Sequence, residues 1–324
     1  MKAMQVKHFG DPPALVDIPK PKPGPGQVLI KNFSCGLNFA DLLMLKGTYQ
    51  ELPPLPFTLG MEVAGEVVGL GPNVNYPAVG SRIAVFGGNG GLAEFGVFSA
   101  DLCINIPESM TFDVASAFQV AYSTSHVALD YRAKLQPNEN LLVLGAAGGV
   151  GLTAVEIGKV LGANVIAAAR GPEKLAIAKK AGATHLIDTN KDDLRKIVKE
   201  LGGADVVYDP VGGEQFKSAL RASNPEARLL TIGFASGDIP QIPANHLLVK
   251  NINIIGFYWG GYQKFKPSVI SNSLIKLFEL YVDGKIQPHI SDTVELENTE
   301  SGLNLLRSRA STGKVTVRTN RAQK

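Results

Sequence analysis

The stretch Asn140-Leu141-Leu142-Val143-Leu144-Gly145-Ala146-Ala147-Gly148-Gly149-Val150-Gly151-Leu152 decides the fold. It begins as a short apolar run of strand type, and beyond Gly151 apolar residues recur at helical spacing, so the glycines occupy a turn from a strand into a helix. Small residues there let the backbone reverse tightly and approach a pyrophosphate. They also aim the unpaired N–H groups and positive end of the helix at it. Ala146 stands where the first glycine of such a loop is expected, which is tolerable if its φ stays negative. The bland alternative is a merely structural glycine turn. Its place between a strand and a helix, at the head of a series of such units, argues for dinucleotide binding.

Downstream, strand-type runs at Asn164 to Ala168, His185 to Ile187, Asp205 to Tyr208, Arg228 to Ile232 and Ile252 to Phe257 follow the first. Helical patterns at Gly149 to Leu161, Glu173 to Ala181, Asp192 to Leu201 and Glu214 to Ala222 separate them. This alternation predicts an α/β fold with a six-stranded, doubly wound parallel sheet of the Rossmann type over residues 119–266. Upstream of about Ala117 the texture is different. Short β-type runs at Gln27 to Ser34, Glu62 to Leu70, Arg82 to Phe86, Glu94 to Phe98 and Leu102 to Ile106 lie among prolines and glycines, and predict a β-rich, barrel-like domain over residues 1–118. One helix interrupts it, opening at Asn38 and ending before Gly47, and Pro19 to Pro25 read as a stiff turn. The tail, with a helix at Ser268 to Val282 and β-type runs around Thr293 to Leu296 and Lys314 to Arg318, is expected to complete the first domain as residues 267–324.

With 324 residues, two packed domains with a cleft between them are the default. Apolar residues make up 45% and charged residues 19%, which fits a folded protein with a sizeable core. The net charge of +3 comes from lysines and arginines scattered among acids, which gives nucleic acid no basic patch to bind. No secretion signal or membrane-length apolar run is apparent, so a cytoplasmic location is expected. Cys35 and Cys103 form neither a disulfide framework nor a metal knuckle, and the five histidines are isolated, so no metal is expected.

The end of the second strand discriminates between nicotinamide cofactors, because an acidic residue there normally receives the adenosine ribose hydroxyl of NAD. Here the run ends Ala168-Ala169-Arg170, with no carboxylate before Glu173. A cation at Arg170, with Lys174 one turn further on, suits the additional phosphate of NADPH instead. Two solvated surface cations would be the structural alternative.

The chain resembles, nearly end to end, the quinone oxidoreductase (zeta-crystallin-like) branch of the zinc-free medium-chain dehydrogenase/reductase superfamily. The motifs that carry the likeness are Cys35-Gly36-Leu37-Asn38-Phe39-Ala40-Asp41, Gly60-Met61-Glu62-Val63-Ala64-Gly65, the Ala146 to Gly151 loop and Tyr208-Asp209-Pro210-Val211-Gly212-Gly213. Ile232-Gly233-Phe234, Gly256-Phe257-Tyr258-Trp259-Gly260 and Gly313-Lys314-Val315 complete them. The resemblance implies a GroES-like catalytic domain beside the dinucleotide-binding domain. Zinc alcohol dehydrogenases of the superfamily carry Cys where Asn38 stands and His where Met61 stands, so a catalytic zinc site is not expected.

The resemblance further implies NADPH-dependent hydride transfer to a small-molecule quinone or enone, with Asn38, Asp41 and Tyr49 on the substrate side. Each has a scaffold reading too: Asn38 as a helix cap, Asp41 as a first-turn acid, Tyr49 as a packing ring. Cofactor contacts are implied at Thr124, Gly148, Gly149, Val150, Arg170, Lys174, Gly233, Phe234, Phe257 and Tyr258. Thr189 stands where several relatives have a tyrosine beside the adenosine phosphate, which leaves more of that task to Arg170. Tyr49 also matches a proton-donating tyrosine of enoyl thioester reductases, which makes enoyl or enone reduction the rival reading. A non-enzymatic, crystallin-like NADPH-binding protein is a third. A homodimer joined along the strand near Ile252 to Phe257 is implied by the same likeness.

Overall fold

The computed structural model describes residues 1–320, and the chain divides into two compact units, Met1–Val120 together with the segment from Pro288 onward, and Ala121–Gln287. In the first unit, β1 (Lys2–Val6), β2 (Ala14–Asp17), β3 (Gln27–Leu37), α1 (Phe39–Lys46), β4 (Phe57–Thr58) and β5 (Glu62–Leu70) are followed by β6 (Arg82–Phe86), β7 (Phe95–Ser99), β8 (Cys103–Asn105) and α2 (Phe112–Ser116). The long β3 is the spine. It pairs antiparallel with β5 and β7, and its register on β5 shifts at Leu29/Ile30 and again at Asn32/Ser34. Such bulges add twist and bend a strand, which suits a sheet that curls around a core. Ile30, Leu37, Met44, Leu59, Val63 and Val85 lie in that core, each almost wholly buried.

The helix predicted to open at Asn38 does so: Asn38 is extended (φ −126°) at its N-cap, and Gly47 ends it in the left-handed region (φ +71°).

The second unit opens with α3 (Gln119–His126), then alternates β9 (Asn140–Leu144), α4 (Gly149–Val160), β10 (Asn164–Ala169), α5 (Gly171–Ala181), β11 (His185–Asp188), α6 (Leu194–Glu200), β12 (Ala204–Asp209), α7 (Gly213–Ala222) and β13 (Ser223–Thr231). It closes with α8 (Ala244–Lys250), β14 (Asn253–Gly256), α9 (Trp259–Phe265) and α10 (Pro267–Val282). The sheet order is β11-β10-β9-β12-β13-β14 with every pair parallel. Chain direction across the sheet therefore reverses between β9 and β12, the point at which open α/β sheets bind ligands outside their strand ends. Leu141, Leu142, Val143 and Leu144 are all fully buried, as a strand covered by helices on both faces requires. At one edge, β14 leaves Ile254 and Ile255 half-buried, and Leu248 and Val249 of the preceding helix are exposed.

After Pro288 the chain adds β15 (Ile290–Glu295), α11 (Thr299–Arg307) and β16 (Lys314–Arg318), and β16 pairs antiparallel with β3. The tail thus joins the first unit as expected, but from residue 288 rather than 267. The helix α10 belongs to the second unit: it buries Ile270, Leu274 and Leu277, and its Ser273 hydroxyl meets His126 Nδ1 of α3 at 3.0 Å. An apolar stripe tells that a helix packs without telling against what, which is why sequence pattern misplaced this boundary.

Candidate functional site

In the second unit, the loop after β9 has the conformation its sequence calls for. Gly145 takes a positive φ of +58°, while Ala146 is not among the residues with positive φ, so the alanine in place of a glycine is unstrained. Gly151 sits so close to the loop that a Cβ on it would lie 2.2 Å from Gly145 O, an approach that only glycine permits. The first main-chain bond into α4 is Leu152 N–H to Gly148 O at 2.8 Å. Helix geometry leaves the amides of Gly149 and Val150 without partners within α4. Gly148 is exposed and Gly149 and Val150 are half-buried, while the Gly148 amide is spent on Gly145 O at 2.9 Å within the loop.

The remaining cofactor candidates fall on the same carboxyl edge of the sheet. Arg170 follows β10, Gly233 and Phe234 follow β13, and Phe257 and Tyr258 follow β14. Asp209, at the end of β12, braces that edge: its Oδ1 accepts the Val211 and Gly212 amides at 2.7 and 2.9 Å, and its backbone carbonyl accepts Ile232 N–H at 2.9 Å. Burial pushes its carboxyl up to about 6. Phe257 is buried, whereas Phe234 and Tyr258 stand partly exposed. Thr124 is buried in α3, and the next residue, Ser125, donates to Val150 O at 3.0 Å and so ties α3 to the head of α4.

At the β10 end, Arg170 is exposed and is the N-cap of α5, and Lys174 lies one turn into that helix. A carboxylate that linear sequence did not bring there stands opposite: Asp188, paired with Ala169 across β10 and β11. Its Oδ1 is committed to the Gly171 and Asn190 amides at 2.9 and 3.1 Å, and those bonds hold its pKa below the ordinary range. It shapes the turn that presents Arg170. Thr189, beside it, has a buried Oγ1 with no hydrogen-bond partner among the described residues.

In the first unit, Asn38 and Asp41 meet at the head of α1, where Asp41 Oδ2 accepts Asn38 N–H at 2.8 Å. Asp41 is fully buried, and burial raises its carboxyl from 3.8 to about 7. The Asn38 side chain faces inward: Nδ2 donates to Glu62 Oε1 at 2.9 Å, and Oδ1 accepts from Lys314 Nζ at 2.7 Å. Glu62 and Lys314 form an ion pair at 2.9 Å, and Glu62 Oε2 also accepts Val120 N–H at 3.1 Å. A Cβ on Gly36 would lie 2.2 Å from Ser116 O, so glycine at this point of β3 is what lets the chain around Ser116 pass close by.

Tyr49 lies further along the chain. It follows the Gly47 cap at the other end of α1 and packs partly buried against the first unit's core. Met61 is buried, and among the described residues no three His, Cys, Asp or Glu side chains converge as a metal site would need. Sequence reading missed Asp188, and it named Asp209, Glu62 and Lys314 only as parts of motifs, without the bonds they make. A further signal was Lys314 as a charged residue at the head of the alternating run Lys314-Val315-Thr316-Val317.

Two family models match the chain: "Alcohol dehydrogenase GroES-like domain" over residues 24–108 and "Zinc-binding dehydrogenase" over residues 149–274. The "Quinone oxidoreductase-like protein 2 homolog" of Nematostella vectensis is 41% identical over 91% of this chain and 82% of its own length. The human "Synaptic vesicle membrane protein VAT-1 homolog" is 32% identical over 91% of this chain and 79% of its own. Among solved structures, the Escherichia coli quinone oxidoreductase complexed with NADPH has a TM-score of 0.92 at 26% identity, covering 98% of this chain and 100% of that one. The Thermus thermophilus quinone oxidoreductase, solved also with NADPH, has a TM-score of 0.87 at 32% identity over 98% and 100%. With this identity over nearly the whole length and both units matched, the chain belongs to the quinone oxidoreductase branch of the medium-chain dehydrogenase/reductase superfamily.

Proposed function

We propose that the chain is an NADPH-dependent reductase that passes hydride to quinones or related electron-poor α,β-unsaturated carbonyls without a metal ion. The observation that carries this reading is a single sheet edge with a glycine-lined anion site at the head of α4 and a free-standing cation position at Arg170, on a strand that ends without a carboxylate. Bound NADPH would supply the hydride. The chain's residues would do the holding: the amides of Gly149 and Val150, beside the exposed backbone of Gly148, take the pyrophosphate, and Arg170 with Lys174 takes the additional phosphate. Gly233, Phe234, Phe257 and Tyr258 would keep the nicotinamide half in place, and Thr124 would add a further cofactor contact.

A quinone or enone already attracts hydride, so positioning replaces activation by a Lewis acid. The donor set in the first unit supports this. The Asn38 amide is engaged at both ends, Met61 offers a buried thioether, and the Lys314 ammonium would repel a divalent cation beside Glu62. Asn38 and Asp41 then act by holding the head of α1. Tyr49, the third candidate of the first unit, follows the Gly47 cap at the far end of α1. As in the family, a second copy of the chain would cover the β14 edge, whose unpaired backbone groups and neighbouring Leu248 and Val249 suit such a contact.

NADPH oxidation measured with naphthoquinones, benzoquinones, phenanthrenequinone and an enoyl thioester should show turnover with a quinone, and silence across the panel would refute the reading. Tyr49→Phe should leave quinone turnover intact; loss of a saturated thioester product in that variant would favour enoyl reduction instead. Arg170→Ala should weaken NADPH binding by about 1–3 kcal/mol, roughly 5- to 150-fold, and leave NADH binding nearly unchanged. Calorimetry with both nucleotides checks this. Light scattering should return the mass of two chains.

Asp41 makes a pH prediction. Because its carboxyl titrates near 7 in the folded chain against 3.8 ordinarily, the native state keeps a proton that the unfolded state has lost in between. Its contribution to stability therefore falls as pH rises from about 4 to about 7, and levels off above. Asp41→Asn keeps an acceptor for Asn38 N–H and should flatten that slope in thermal unfolding across pH. An unchanged slope would contradict it.

A further inference from the structure

We propose that Lys314 is a positioning residue, a tethered cation that fixes the Asn38 amide and the Glu62 carboxylate and, through them, the head of α1. The inference rests on the reductase reading for its kinetic part alone.

Three oxygens converge on the ammonium: Leu37 O at 2.8 Å, Asn38 Oδ1 at 2.7 Å and Glu62 Oε1 at 2.9 Å. An ammonium has three N–H groups and no acceptor, so this niche satisfies it completely. The pair is sealed from solvent, with side-chain exposure of 7% for Lys314 and 1% for Glu62. Register explains how a residue near the end of the chain arrives here. β16 lies on β3 with Val315 opposite Leu37, which sets Lys314 beside the last residue of β3 and the first turn of α1.

The chemistry fixes one orientation of Asn38. The ammonium can only donate, so it must face the amide oxygen, and the carboxylate can only accept, so it must face the amide nitrogen. The lysine and glutamate thus act as two jaws of opposite sign on one side chain. Asn38 is also the N-cap of α1, and its N–H is held by Asp41, so the same contacts set where the helix begins. Cys35 and Asp41, the other ionisable groups close to the pair, both have their pKa raised by burial.

A buried ion pair is poor evidence for stability, since apolar residues of similar volume often serve a fold as well. The distinctive contribution here is directional: a methionine would fill the same space but could not hold the Asn38 oxygen.

The test separates the two contributions. Lys314→Ala leaves a niche of three oxygens that a small alkylammonium ion fits. Ethylammonium chloride should raise its unfolding midpoint by several degrees over tetramethylammonium chloride at equal ionic strength, with no such difference for the wild type. This readout does not depend on turnover. The double variant Lys314→Met/Glu62→Gln removes both charges at similar volume and keeps the fold within reach if Lys314→Ala fails to fold. With the best quinone, its kcat should fall by about 10- to 100-fold, as expected for a reacting group displaced by a fraction of an ångström to an ångström, while KM for NADPH stays within about two-fold.

Ethylammonium should also restore turnover to Lys314→Ala. A folded double variant with wild-type kcat would overturn the positioning role, and absence of any ethylammonium-specific stabilisation of Lys314→Ala would overturn the cation niche. A wild-type protein without quinone turnover, but with the alanine variant stabilised by ethylammonium, would sink the reductase reading and leave the niche standing.

Discussion

The second unit depends on one close approach, that of Gly151 in α4 to the carbonyl of Gly145 at the end of β9. With any side chain at Gly151 the helix would have to back away from the strand. The Gly149 and Val150 amides would then no longer line the loop that follows β9. Everything else on the carboxyl edge is arranged around that contact. Asp209 braces the turn after β12, Asp188 braces the turn after β10, and Ser125 ties α3 to Val150. Two carboxylates and a hydroxyl thus spend their hydrogen bonds on backbone, which leaves the edge's exposed amides and its arginine as the groups that offer positive potential.

The first unit solves a different problem. It is a β-rich domain with a buried carboxylate at its centre, and a buried carboxylate needs partners on both oxygens. Glu62 obtains them from three distant parts of the chain: Asn38 at the head of α1, Val120 at the start of α3 and Lys314 on β16. The network is local in space and wholly non-local in sequence. It also accounts for why Asn38 and Asp41, which the family resemblance sets on the substrate side, look inward here. The Asn38 amide and Asp41 Oδ2 are occupied in fixing one another, the niche and the helix they begin.

The sequence by itself determined the architecture of both units wherever a periodic pattern or a turn residue was enough. The β9 loop, the alternation that follows it, the Asn38 to Gly47 helix and the absence of an acid at the end of β10 were all legible, because each is a property of neighbouring residues. The family likeness added the site candidates and the kind of cofactor.

Tertiary structure alone decided the rest, and for one reason: the missing facts concern pairs of residues far apart along the chain. Helix α10 was assigned to the wrong unit because its apolar stripe does not name the surface it meets. Asp188 came to stand beside the Arg170 strand only through the parallel pairing of β10 with β11. Lys314 reads in sequence as the middle of a Gly313-Lys314-Val315 motif at the head of a short β-type run, and only the register of β16 on β3 reveals it as the buried partner of Glu62 and Asn38. Local chemistry writes the elements; the energetic need to satisfy a buried charge becomes visible once the strands that bring its partners are in place.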